Sequence, residues 1–213
     1  MMQQQVSLDL MEFIETQILP RYNEFGKSHG LDHVTRVIQN SLVLSRTTGT
    51  NIDMVYTIAA YHDLGMSGPR AIHHVTGGKI LASDARLRRW FSPEQIRVMK
   101  EAIEDHRASM SRCPRSLYGK IIAEADRDLE PEIVFRRAIE FGLENNPNKN
   151  EKEQWINFQR HMNEKYSRNG YIHLWISGSP NEEKLRILRN IIDDPIQLKK
   201  IFDRIFGELK QNE

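Results

Sequence analysis

The sequence predicts an all-α fold of about nine helices, and three observations favour this class. Apolar residues recur at helical spacing through nearly the whole chain. Helix-start signals separate the segments, as in Ser92-Pro93-Glu94-Gln95, which offers a capping serine, a proline at the first helical position and a glutamine at the third. Strand-like alternation never persists for more than a few residues, and residues 171–176 are the best, weak candidate for a strand.

The helices follow one another with short breaks. The first covers residues 6–24 and has a broad apolar face, and the second covers 31–46. The third covers 52–63 and ends at the glycine- and proline-rich segment from Gly65 to Pro69. Further helices are predicted over about 73–89, 93–108, 116–129, 131–143 and 151–167, and two more begin after Ser179 and Asp194.

The composition of the chain argues against several classes of binding partner. The chain has 213 residues, with 30 Lys and Arg against 29 Asp and Glu, so its net charge of +1 gives no general attraction to nucleic acid or anionic membrane. The longest nearly apolar run, residues 54–61, falls far short of the roughly 20 residues that span a bilayer. Cys113 is the single cysteine, and the N-terminus lacks the features of a signal peptide. We therefore expect a cytoplasmic protein with no membrane partner and no nucleic-acid surface.

Histidines are concentrated in one part of the chain, since six of the eight lie between residues 29 and 106. Two of them continue apolar helix faces, His62 after Ile52, Val55 and Ala59, and His106 after Ile96, Met99 and Ile103. A single histidine of this kind is commonly hydrogen-bonded to a backbone carbonyl. Recurrence on successive helices, with Asp63 and Asp126 beside the same faces, favours a shared divalent cation, because unpaired buried polar groups are costly.

Three segments resemble the HD superfamily of metal-dependent phosphohydrolases, whose signature is a His, an adjacent His-Asp pair and a distal Asp, all on helices. They are His-Gly-Leu-Asp-His-Val-Thr-Arg-Val (29–37), Ala-Ala-Tyr-His-Asp-Leu-Gly (59–65) and Ala-Glu-Ala-Asp-Arg-Asp (123–128). The resemblance implies that His33, His62, Asp63 and Asp126 bind one ion. It also implies a domain plan: an N-terminal helix in residues 1–28 that packs on the core, a metal-binding HD core over 29–130, and a C-terminal helical extension of the same domain over 131–213.

A further segment, His-His-Val-Thr-Gly-Gly-Lys-Ile-Leu (73–81), together with Glu104-Asp105-His106, resembles the members that bind two metals. There, a histidine four residues before a glycine is a ligand, which favours His73, although a shift of one residue would select His74 instead. The implied second ion is held by His73 and His106, with Asp63 bridging the two ions. The metal could be Mn, Mg, Fe, Co or Ni.

The resemblance implies a phosphohydrolase that cleaves a phosphate ester, of a small nucleotide or a related metabolite, with a metal-activated water that Asp63 orients. Four cationic residues near the ligands are candidates for binding the substrate phosphate: Arg36, Lys79, Arg107 and Arg127. Met66 and Ser67 stand where many relatives have a lysine, and the Gly-Tyr-Pro signature of cyclic-di-nucleotide phosphodiesterases is missing, which argues against that substrate. The alternatives are a diiron oxygenase of the HD type and a non-catalytic, metal-stabilised helical module that binds a ligand.

Overall fold

A computed structural model describes residues 5–26, 29–110 and 112–211. Parts of the expected N-terminal segment, residues 1–4, 27 and 28, lie outside the described residues. The all-α prediction is confirmed, since the described residues form helices and no strand, and residues 171–176 are irregular. The ten α-helices are α1 (Leu8–Gln17), α2 (Leu31–Ser45), α3 (Ile52–Tyr61), α4 (His73–Ser83), α5 (Pro93–Glu104), α6 (Leu117–Ala125), α7 (Pro131–Asn145), α8 (Glu151–Tyr166), α9 (Pro180–Ile192) and α10 (Pro195–Gln211).

Four short 3-10 helices replace stretches for which longer α-helices or loops were predicted: Leu19–Glu24, Leu64–Ser67, Arg70–Ile72 and Ala85–Arg89. The predicted helix over 6–24 ends early because Pro20 has no N–H to donate to the preceding turn. The predicted helix over 73–89 stops at Asp84, whose backbone leaves the helical region and whose carboxylate accepts hydrogen bonds from Arg86. Local side-chain chemistry therefore ends these helices, although the apolar periodicity continues.

The helix-start signals act as predicted at α5. Gln95 N–H donates to Ser92 Oγ at 3.3 Å, and Ser92 N–H donates to Gln95 Oε1 at 2.8 Å, which completes a capping box. The same device, built from Asn150 and Glu153, starts α8. Each cap satisfies backbone donors that the first turn of a helix leaves free.

The chain divides into two compact units, Met1–Arg127 and Asp128–Glu213. In the first unit α2, α3, α4, α5 and α6 surround a core of fully buried residues that includes Val34, Ile58, Leu81, Met99 and Ile103. The helix α1 buries Leu10 and Ile14, and Ser7 just before it donates two hydrogen bonds to Asp53 of α3. The expectation that residues 131–213 extend the same domain stays a prediction.

The second unit has an apolar core of aliphatic residues around a cluster of aromatic rings. Phe158 lies between Phe135 and Phe202, with ring centroids 5.9 and 5.3 Å away, and Trp155 packs 5.2 Å from Phe202. Ion pairs of this unit, such as Arg204 with Glu132 at 2.6 Å, join exposed side chains. Among the described residues, none of the helices combines the length and the hydropathy that crossing a bilayer requires.

Candidate metal centre

The six predicted ligands all lie at helix ends that meet inside the first unit. His33 is in the first turn of α2 and His73 is the first residue of α4. The other four directly follow helices: His62 and Asp63 after α3, His106 after α5 and Asp126 after α6. Three helix C-termini therefore point toward one place, and their partial negative charge favours a cation there.

The first group of ligands consists of His33, His62 and Asp126, together with Oδ2 of Asp63. Nε2 of His33 lies 3.3 Å from Nε2 of His62 and 3.1 Å from Oδ1 of Asp126. Oδ2 of Asp63 is 3.4 Å from both of these ring nitrogens. His33, His62 and Asp63 are buried, so four donor atoms face one another in a space that has little access to water.

The second group consists of His73 and His106, together with Oδ1 of Asp63. Nε2 of His73 lies 3.2 Å from Nε2 of His106, and these two nitrogens are 3.6 and 3.7 Å from Oδ1 of Asp63. Asp63 therefore presents one carboxylate oxygen to each group. Ligand atoms of both groups lie close enough together to hold an ion, as do those of His29, His33 and Asp63.

Backbone carbonyls fix the orientation of three of the imidazoles. Nδ1 of His62, His73 and His106 lies 2.8, 2.7 and 2.6 Å from the carbonyl oxygens of Ala59, Arg70 and Ile103. Because a carbonyl only accepts, each Nδ1 carries the hydrogen, and each Nε2 of a neutral ring turns a lone pair toward the other ligands. Lone pairs that oppose one another at this distance repel unless a cation or a proton lies between them, so the ligand set fits a bound metal ion.

The charges of the carboxylates dominate the first group. Burial lowers the pKa of His62, but Asp63 and Asp126 outweigh burial and raise it to about 10. The pKa of His33 is likewise raised, because its hydrogen bonds to the same carboxylates outweigh burial. Burial raises the pKa of Asp63 and of Asp126, yet the surrounding imidazoles reverse the effect and hold both well below the usual range of an aspartate.

The second group has the opposite balance. Burial and then the neighbouring charge of His106 lower the pKa of His73, and the more distant Asp63 does not compensate. A lowered pKa leaves His73 neutral at pH 7, which is the form that binds a metal. The two groups therefore differ in how much negative charge each places beside its imidazoles.

His73 and His74 differ in their positions relative to the other predicted ligands, and the assignment of His73 as a ligand stays a prediction. Nε2 of His73 faces His106 and Asp63, whereas the His74 ring lies 5.5 Å from the His73 ring and belongs to none of the potential metal-binding groups in the described part of the chain. Burial, His106 and further neighbours that include Arg107 lower the pKa of His74. His74 thus lines the edge of the second group beside a guanidinium.

His29 lies beside the carboxylate that the two groups share. Its Nδ1–H donates to Oδ2 of Asp63 at 2.7 Å, the shortest contact of that carboxylate within the described centre. This hydrogen bond fixes the carboxylate that both groups share. The signal in the sequence was only its place four residues before His33.

The four candidate cations for substrate phosphate differ in their surroundings. Arg107 is exposed, and its Nη1 donates to the carbonyl of Ala71 at 2.9 Å, which holds the guanidinium near the start of α4. Arg36 on α2 and Lys79 on α4 are exposed, while Arg127 is half-buried. The hydrogen bond to Ala71 therefore ties Arg107 to the edge of the second group.

Part of this chain matches a known protein family. The HD domain family matches residues 30–129. A solved structure described as a predicted HD superfamily hydrolase, from an uncultured Thermotogales bacterium, is 19% identical in sequence; the match covers 72% of this chain and 83% of that one, with a TM-score of 0.49. A comparison with curated proteins gives no significant match.

The segment that matches the family contains all six predicted ligands, from His33 to Asp126. Its helices are those whose ends bring the histidines and aspartates together. Residues 30–129 therefore match the HD domain family, and the six predicted ligands lie within the matched segment.

Proposed function

We propose that this protein is a phosphohydrolase that uses two divalent cations to cleave a phosphate ester, with a small nucleotide or a related metabolite as its substrate. The observation that carries the proposal is the pair of ligand groups joined through one carboxylate, Asp63. Two ions held side by side suit an in-line displacement at phosphorus, because together they stabilise the attacking and the leaving oxygen.

Each predicted ligand would bind the ion of the group in which it lies. His33, His62 and Asp126 would hold one ion and His73 and His106 the other, with Asp63 shared between them. Bound divalent cations supply an acidified water as nucleophile and neutralise the charge of a phosphoryl group. His29 holds the Asp63 carboxylate through its 2.7 Å hydrogen bond, so that neither oxygen of Asp63 swings out of its group.

The charge of the centre favours an anionic substrate. The ligand set has two carboxylates and four imidazoles, so two divalent ions leave the centre with a net positive charge. Arg107, held by its hydrogen bond to Ala71 near the start of α4, adds a cation beside the second group and is our leading candidate for a contact with substrate phosphate. Arg36, Lys79 and Arg127 are the remaining candidates.

The test is an activity panel with defined metal loading. Protein stripped with a chelator is reloaded with Mn, Mg, Fe, Co or Ni and assayed against phosphomonoesters, phosphodiesters and nucleotides. We expect metal-dependent hydrolysis of at least one class, loss of that hydrolysis in Asp63→Asn, and no loss in His161→Ala, which removes an exposed histidine of the second unit.

Two results would contradict the proposal in different ways. Oxygen consumption by the iron-loaded protein, with no ester hydrolysis under any metal, would make the centre an oxygenase. Metal binding that raises the melting temperature, with neither hydrolysis nor oxygen consumption across the panel, would leave a metal-stabilised binding module.

A further inference from the structure

The segment that follows α3 and the start of α4 touch through their backbones, with no side chain between them. A methyl group placed on Gly65 would lie 1.9 Å from the carbonyl oxygen of His73 and 2.6 Å from the backbone nitrogen of Gly77. A methyl group on Gly77 would lie 2.9 Å from the carbonyl oxygen of His62. Only glycine permits so close an approach at both positions, because any Cβ would have to displace backbone rather than a flexible side chain.

This contact joins the two parts of the chain that carry the ligands of the second group. Gly65 follows Asp63 by two residues, and the atom nearest to a methyl group placed on Gly65 is the carbonyl oxygen of His73. The separation between these backbones sets how far His73 can reach toward Oδ1 of Asp63, now 3.6 Å from its Nε2. A displacement of α4 by the width of a methyl group would therefore move His73 away from the shared carboxylate.

Gly77 also faces the helix that leads to the other ligand. A methyl group placed on Gly77 would lie 3.2 Å from Cγ2 of Ile103 in α5. His106 follows the end of α5 by two residues. Gly77 thus lies where α4, α5 and the segment after α3 meet. Glycine is an unfavourable residue inside a helix, so its presence in α4 is explained by this packing and not by helix propensity.

The second group has a ligand, His73, on α4 itself, whereas the first group meets this contact through the carbonyl oxygen of His62, 2.9 Å from a methyl group placed on Gly77. The ligands of the first group come from α2 and from the ends of α3 and α6, and none of them is part of α4. A change that moves α4 alone would leave His33 and Asp126 in place. We therefore expect a shift of α4 to move a ligand of the second group directly and to reach the first group through the backbone of His62.

We propose that Gly65 and Gly77 are positioning residues that set the binding site of the second ion by holding α4 against the His62–Asp63 segment. This inference rests on the proposed function, since it requires that a second ion binds. In this proposal, Gly65 and Gly77 determine whether the ligand set of this chain holds one ion or two.

The experiment compares Gly77→Ala with the unaltered full-length protein. Each is stripped of metal and titrated with Co²⁺, and the two binding events are followed by absorption and by the metal content after gel filtration. We expect affinity for the second ion to fall by about 10–100-fold, the range typical of residues that orient a ligand, while affinity for the first ion falls by less. Gly65→Ala, with its closer backbone contact, is expected to lose the second ion completely.

The matched control is Gly207→Ala in α10, where an added methyl group meets nothing within 4 Å. It makes the same chemical change inside a helix of the second unit and is expected to leave both binding events as they are. Circular dichroism reports whether each variant keeps its helix content. Because Gly65→Ala has the larger clash and could fail to fold, the conclusion is drawn from Gly77→Ala.

The outcomes separate this inference from the proposed function. If the unaltered protein binds one ion, the two-ion proposal fails and this inference fails with it. If the unaltered protein binds two ions and Gly77→Ala binds both with unchanged affinity, the inference is wrong and the two-ion proposal stands. Equal weakening of both ions in Gly77→Ala would also overturn the inference, since it would indicate a general effect on the fold.

Discussion

The two ligand groups of the candidate metal centre share one carboxylate but differ in the charge and the packing that would favour a cation. The first group places Asp126 as well as Asp63 beside its histidines, which raises the pKa of His33 and His62. The second group has only its share of Asp63, and the pKa of His73 is lowered. Charge favours an ion in the first group, whereas the second depends more on the close packing of α4. We infer that the first group fills first.

The largest effect is expected from removing the charge that the groups share. Asp63→Asn leaves one oxygen able to accept but removes a negative charge that would offset the charge of the two ions. We expect both ions to be lost, with a fall in affinity beyond the roughly 100-fold seen when a residue only orients a ligand. The metal content of the variant after gel filtration measures this loss of ions directly.

The control for this change is Asp203→Asn, which removes an exposed carboxylate of the second unit that pairs with Lys199. It alters the net charge of the chain by the same amount without touching the centre, so we expect metal content as in the unaltered protein. Retention of both ions in Asp63→Asn would refute the bridging role and with it the division into two coupled groups.

A selective loss is expected when one group alone is altered. His106→Ala removes a ligand of the second group and should reduce the metal content from about two ions per chain to about one. Asp126→Asn removes a charge of the first group and should weaken the tighter of the two binding events. The measurement is a Co²⁺ titration of each variant, compared with the unaltered chain.

The test depends on the difference in metal binding between His106→Ala and Asp126→Asn. If His106→Ala and Asp126→Asn both abolish all binding, the two groups behave as one site, and their difference in charge does not separate the two binding events. If His106→Ala leaves two ions bound, His106 is a structural residue, held by its hydrogen bond to Ile103.

Much of this centre could be predicted from the sequence, because its signals are local. His62 and His106 each continue an apolar helix face, which indicates burial, and the adjacent Asp63 and the distal Asp126 complete a family signature. The geometry also favours His73 over His74, in line with the spacing to Gly77. Helix starts were predictable for the same reason, since a capping box is formed by residues three apart.

The remainder depends on contacts between distant segments. The approach of Gly65 to His73 becomes visible only when α4 lies against the end of α3. The buried carboxylate of Asp105 is similar, because its partners, the backbone N–H of Arg115 at 2.7 Å and the guanidinium of Arg112 at 2.6 Å, come from the loop that follows. No periodicity in the sequence specifies such pairs.

The raised pKa of His62 predicts that filling the first group releases a proton. With a pKa of about 10, the empty site holds a proton on Nε2 at pH 7, since Nδ1–H is already donated to Ala59. That proton must leave before a metal can bind, so affinity for the first ion should rise by about tenfold per pH unit between pH 7 and 9. Calorimetry in buffers of different ionisation enthalpy measures the release.

The pH dependence of binding of the second ion can be compared with that of the first in the same titration. His73, with its lowered pKa, is already neutral above pH 7 and has no proton to lose, so we expect a weaker dependence on pH for the second binding event. The same pH slope for both ions would show that the two groups do not differ in charge as the structure indicates.

The smallest effect is expected from a residue that connects two elements of the first group without binding metal. Asn40 on α2 donates through Nδ2 to the carbonyl of Ala125 at 3.2 Å, directly before Asp126, and so ties the helix of His33 to the end of α6. Asn40→Ala should cost about 1 kcal/mol of unfolding free energy, as for a typical hydrogen bond.

Asn40→Ala should also weaken the first ion less than tenfold, below the range for residues that contact a ligand directly. Urea denaturation of the metal-free chain measures the first effect and Co²⁺ titration the second. The second ion should be unaffected, because His73 and His106 lie on α4 and after α5 and have no contact with Asn40 in the described residues. A larger loss at the second ion than at the first would mean that α2 positions the whole centre, and the independence of the two groups would then be limited to their charges.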